Sequence, residues 1–223
     1  MMRFMVFYPL LFGIIGRYLL PALEETSGFR LDLFSDYALA ALTLMTPMVY
    51  GAIVGFSILD DRDDHILDSV KVTPLNLHQF LSFRICMAFI FSLAACTFVM
   101  WFSDIGELSW MDILGVAFLA SLSAPLTGLL INAFSKNKIE GFAVMKGLGT
   151  VILIPVVSLY FTDAKEIIFA IIPPFWPAKV ISSALRPEGW TYLTYSQYYF
   201  IGLAYVVILN GLVYRFFLHR IET

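Results

Sequence analysis

The chain has 223 residues, of which 60% are hydrophobic and only 14% charged, and its formal net charge is −3. That apolar share is far above the range of a soluble domain, and so small a charge, spread over short connecting stretches, excludes nucleic-acid binding as the main role. No polar stretch is long enough for a sizeable soluble domain, so the expected fold is all-α: one polytopic transmembrane domain over residues 1–223. A bilayer crossing needs roughly twenty apolar residues and leaves no backbone group unpaired. The long unbroken apolar runs are therefore expected to be helices rather than barrel strands.

In chain order, spans are expected at about 4–20, 37–59, 81–102, 111–134, 142–160 and 199–218. The first run opens almost at Met1 and looks like a signal peptide. Arg17 interrupts its end, Pro21 follows and no small-x-small cleavage pattern stands where one is needed, so it is taken as an uncleaved span. Glu24 or Glu25 is the expected partner of Arg17. The stretch Glu24–Arg30, EETSGFR, is close to the glutamate-rich signature of a family of intramembrane proteases, but it has four residues between the acid pair and the arginine where that signature needs three. In the second span Gly51-x-x-x-Gly55 has the small-residue spacing that allows close helix contact.

The charged run 60–80, DDRDDHILDSVKVTPLNLHQF, lies between two spans and must sit at one membrane face. Ile66, Leu67 and Val70 fall at the three-to-four spacing of an amphipathic helix, with Asp63, Asp64 and Asp68 elsewhere around it. Acids lead and Lys71 trails, which complements the helix dipole, and Pro74 stops the helix after Thr73. Such a helix is a docking knob for a soluble partner, or else a solvated loop with a favourable charge order.

Trp101 and Trp110 bracket a short turn, as aromatic residues do where helices leave the bilayer. The loop 135–147, SKNKIEGFAVMKG, carries Lys136, Lys138 and Lys146 as interfacial anchors or as a second contact for a partner. Between 161 and 197 two short apolar pieces flank Pro173-Pro174-Phe175-Trp176-Pro177. Each is too short to cross, and a re-entrant pair of short helices at the outer leaflet is expected. With the amino terminus inside, nine Lys or Arg residues fall inside and five outside, which favours that orientation, with both termini cytoplasmic.

No phosphate loop, dinucleotide fingerprint, HExxH, paired-cysteine or GxSxG motif is present. No catalytic residue and no metal ligand set is assigned. Cys86 and Cys96 are ten residues and about 280° apart on a helix, so they suit packing rather than a disulfide. Ionisable residues deep in the spans are almost absent, which counts against an intramembrane enzyme and a proton-coupled carrier. Asn132 and Asn210 suit interhelical hydrogen bonding. No substrate-binding residue can be assigned; Phe12, Tyr50 and Trp101 suit packing or lipid contact.

On these residues the chain resembles the permease subunits of ABC transporters of the type-2 exporter class. Leu67, Asp68, Val72, Thr73, Pro74 and Leu75 match that class's loop between spans two and three, whereas His65 and Ile66 stand where it commonly has Gly-Thr. NKIEGFAVMKG and PPFWP are similar to a subgroup of small six-span bacterial permeases labelled fluoroquinolone or multidrug exporters. The resemblance implies a half-transporter whose coupling helix, 60–80, seats in a separate ATP-binding cassette subunit. It puts Asp63, Asp64, Ile66, Leu67, Asp68, Val70, Thr73 and Pro74 at that contact. It further implies a second permease copy or paralogue, membrane lipids around the spans, ATP and Mg on the partner and no cofactor on this chain. The competing expectations are a motorless channel or carrier and a membrane accessory protein of immunity or sensing type.

Overall fold

The computed structural model describes residues 2–28, 30–64, 77–187 and 189–222. Among them there are helices and no strand. Helix α1, Met2–Ile14, continues through a π-helical turn at Ile15–Leu19 into α2, Leu20–Ser27. Helix α3 is Leu31–Asp63, α4 Leu77–Ser103, α5 Trp110–Ser121, α6 Ser123–Phe134 and α7 Lys138–Ser158. A 3₁₀ helix, Ala164–Ile171, and the short α8, Phe175–Leu185, precede the last helix, α9, Tyr195–Glu222.

Six stretches are long and apolar enough to cross a membrane: 5–26, 31–63, 78–103, 110–134, 138–158 and 195–219. The expected all-α, six-span architecture is therefore observed. The second and fourth are the most buried in the bundle, and the first, fifth and sixth the least. The bundle has a loop end, where α3 stops and α4 starts, and a hairpin end, which carries the 3₁₀ helix and α8.

Local chemistry sets the helix boundaries. Ser109 and Asp112 form a reciprocal capping box at the start of α5, satisfying two otherwise orphaned donors. Asn137 caps α7 by accepting from the Glu140 N–H at 3.0 Å, and Glu140 Oε2 accepts from the Lys136 N–H at 2.7 Å. The helix therefore starts at Lys138 inside the expected loop, and Lys146 lies two turns within it. Pro125 has no N–H to give the carbonyl of Ser121, and α5 and α6 part there at Leu122.

The main core lies toward the hairpin end, where Leu39, Leu44, Val99, Val116, Leu119, Phe175, Val180 and Tyr198 are buried together. A smaller cluster of Ile58, Leu81, Leu129 and Phe217 closes the loop end. Helices α3 and α6 meet backbone to backbone. A Cβ on Gly51 would stand 2.4 Å from the Ala124 carbonyl oxygen, and one on Gly55 would stand 3.2 Å from the Gly128 Cα. The small-residue spacing thus serves contact within the chain. Asn132 stitches the same seam, its Nδ2 donating to the Gly55 carbonyl at 2.8 Å.

Candidate functional site

The residues expected to meet a partner fall mostly in 65–76. Ile66, Leu67, Asp68, Val70, Thr73 and Pro74 lie outside the described residues. Asp63 ends α3, and Asp64 caps it, its N–H donating to the Asp60 carbonyl at 2.9 Å; both side chains are exposed.

What the described residues show is how the two ends of that loop are mounted. The last turn of α3 has four consecutive charges, Asp60-Asp61-Arg62-Asp63, and the first three reach three different neighbours. Asp60 pairs with Lys138 of α7 at 2.6 Å. Asp61 pairs with Arg84 of α4, also at 2.6 Å. Arg62 donates from Nη1 to the carbonyls of Asn132 and Ser135, at the end of α6, at 3.3 Å each. Arg84 also donates to the Ser57 hydroxyl and lies 4.8 Å from the centre of the Phe80 ring. Asp61 is buried, so its attraction to Arg84 is screened less than a surface pair's. Of the lysines expected as anchors, Lys138 is thus an interhelix partner.

The other end of the bundle holds a polar network that the sequence did not reveal. Glu166 of the 3₁₀ helix and Lys179 of α8 are both buried and pair at 2.6 Å. Lys179 also donates to the Phe161 carbonyl at 2.7 Å, and the Tyr198 hydroxyl of α9 donates to Glu166. Burial pushes the Lys179 ammonium below its ordinary pKa, while the hydrogen bond and charge of Glu166 work in the opposite direction. Beside it Asp36 of α3, fully buried, accepts from Ser182 at 2.9 Å and pairs with Arg186, which also donates to the Leu33 carbonyl. Every one of these charges has a partner, so the network clamps the hairpin onto α3 and α9.

Arg17 does not meet Glu24 or Glu25. Gly16 brings the π turn against Ser103, so Arg17 donates to the Phe102 carbonyl at 3.3 Å and faces Asp104 at 3.9 Å. Glu24 instead accepts from the Leu31 N–H at 3.0 Å. Asn132 and Asn210 are both interhelical donors, Asn210 to the Leu122 carbonyl at 3.0 Å. Tyr50 is buried with its hydroxyl on the Met5 carbonyl, and Trp101 is exposed and stacked on Trp110.

Comparison with known proteins gives the family. Fluoroquinolones export permease proteins MT2760 and Rv2686c, from Mycobacterium tuberculosis strains CDC 1551 / Oshkosh and ATCC 25618 / H37Rv, are each 29% identical to this chain over 189 residues, covering 83% of this chain and 75% of theirs. No solved structure matches. The family described as fluoroquinolones export permease protein Rv2686c-like matches residues 1–214, and with nearly its whole length inside that match, this multi-pass membrane protein belongs to the export permease family.

Proposed function

We propose that this chain is the membrane-spanning subunit of an ATP-driven exporter, coupled through the loop 60–80 to a separately encoded ATP-binding cassette subunit. The observation that carries the reading is the mount of that loop: one turn of α3 is tied by charge to α4, α6 and α7. A push on the loop would therefore reach the bundle at several points at once. ATP and Mg bind the partner, where hydrolysis takes place, and a second permease copy or paralogue completes the pathway. Ile66, Leu67 and Val70 fill an apolar pocket of the motor, Asp63, Asp64 and Asp68 face basic groups on its rim, and Thr73 and Pro74 close the contact.

The substrate is a small or amphipathic molecule, drug-, lipid- or peptide-like, and the names of the relatives support the drug-like member of that set. The orientation is both termini on the cytoplasmic side of the cytoplasmic membrane, supported by the excess of Lys and Arg on that side. The hairpin end then faces outward, with its two short helices dipping into the outer leaflet.

The test is a pull-down from native membranes in mild detergent, comparing the wild type with Ile66, Leu67 and Val70 all changed to Asp. Recovery of an ATPase with the wild type and its loss with the triple variant is the expected result. If no ATPase is recovered even after crosslinking at the loop, the chain is a motorless carrier or an accessory protein.

A further inference from the structure

A cavity of about 400 Å³ opens between α4, α6 and α9 in the loop-end half of the bundle. Its volume falls in the range of small-molecule sites. No charged side chain lines it, and its walls are mostly apolar and aromatic, with Phe89 of α4 on one side and Tyr214 of α9 on the other. Phe89 is held edge-on to Phe118 at 5.5 Å, so one ring of the wall has a fixed orientation. Opposite it Gly211 has nothing within 4 Å of where a Cβ would stand, which leaves that part of α9 open.

The polar atoms are few and close together in sequence along α9. Asn210 spends both protons inside the protein, on the carbonyls of Leu122 at 3.0 Å and Val206 at 2.9 Å. Its Oδ1 is buried and has no donor among the described residues. With almost no accessible surface, that oxygen is sealed behind the wall rather than presented to an occupant. One turn further along, the hydroxyls of Tyr214 and Ser82 lie 2.8 Å apart and form an exchangeable polar point.

We propose that this cavity binds an uncharged aromatic amphiphile that carries a hydrogen-bond donor and enters from the surrounding lipid. The uncharged walls exclude an ion, the rings of Phe89 and Tyr214 offer faces for stacking, and the Tyr214–Ser82 hydroxyl pair supplies the polar complement. The site lies within one chain, so it does not depend on the motor reading or on a second copy. An occupant touches Ser82 and Cys86, which flank Arg84 on α4, and so bears directly on the helix that carries the Asp61 ion pair.

The experiment uses the full chain in reconstituted membranes. It is photolabelled with a trifluoromethyl-diazirinyl benzyl alcohol and, separately, with the methyl ether of the same molecule, and the adducts are mapped by mass spectrometry. Adducts are expected at Cys86 and along 207–214, several-fold above those at Leu153 and Val157 on the exposed face of α7, and suppressed by excess 1-naphthol. The alcohol should label the cavity about three- to tenfold more than the ether, the range of one net hydrogen bond, and Tyr214→Phe with Ser82→Ala should erase that difference. Gly211→Leu, or Cys86→Phe from the opposite wall, should abolish cavity labelling while leaving adducts on α7. Equal labelling of cavity and α7, equal labelling by alcohol and ether, or cavity labelling that survives both filling variants would overturn the proposal. A cavity holding only phospholipid chains gives the second of these results, with no competition by 1-naphthol.

Discussion

Glu166, Lys179 and Tyr198 meet in one buried network, with Asp36 paired to Ser182 and Arg186 beside it, and the four named first are spread over 163 positions of sequence. Nothing in their spacing announces it. Read along the chain, Lys179 and Arg186 are outer basic residues and Asp36 precedes an apolar run; only the fold of the hairpin back onto α3 brings them together. A buried pair loses far more when one partner is removed than it contributes over an apolar replacement of both. Lys179→Met should therefore cost about 3–5 kcal/mol, and adding Glu166→Gln should recover much of the loss. Thermal unfolding of the detergent-purified single and double variants checks this, and equal destabilisation by both would contradict it. At the other end Arg84 serves Asp61, Ser57 and the Phe80 ring together, so replacing it removes more than one charge. Under the proposed function, Arg84→Gln should leave the chain inserted in the membrane but lower export, and the exchanged pair Asp61→Arg with Arg84→Asp should restore part of it, as measured by accumulation of a test drug in cells.

At the scale of elements, the six apolar helices were legible because length and continuous hydrophobicity are sufficient to specify a span. Their ends were less so. Asn137 and Glu140 start α7 earlier than hydropathy suggests, because a cap needs only one well-placed side chain to be worth forming. Which helices touch was not legible either. Gly51, Gly55 and Gly128 could have faced another copy of the chain, and they face each other instead. Since a Cβ at Gly51 meets backbone, the seam has no flexible side chain to yield. Gly51→Leu should cost about 1–3 kcal/mol or more through overpacking, whereas Gly147→Ala, with open space around it, should be close to neutral. Thermal stability and monodispersity of the two variants in detergent give the comparison. The loop that carries the proposed motor contact remains legible only in sequence, through the spacing of Ile66, Leu67 and Val70 and the stop at Pro74.

For the whole molecule, the topology places 104–109 at the hairpin end and 135–137 at the loop end. In a variant without native cysteines, Cys86→Ser with Cys96→Ala, a single cysteine at Glu107 and another at Lys136 should react with a membrane-impermeant maleimide from opposite sides, and under the proposed orientation Lys136 is the one that reacts from the cytoplasm. Labelling of both from one side would contradict the topology. Helix α3 joins these two ends. Between Asp36, clamped to the hairpin, and Asp63, beside the loop, it runs ~40 Å at about 1.5 Å per residue, with Pro47 near the middle. A beam of that length trades angle for displacement: rocking by ~5° about its midpoint carries each tip ~2 Å, in opposite directions. A helix that stays straight would carry a displacement from one face of the membrane to the other without a relay of side-chain rearrangements, and Pro47, which removes one backbone hydrogen bond, is the point at which such a beam would bend instead.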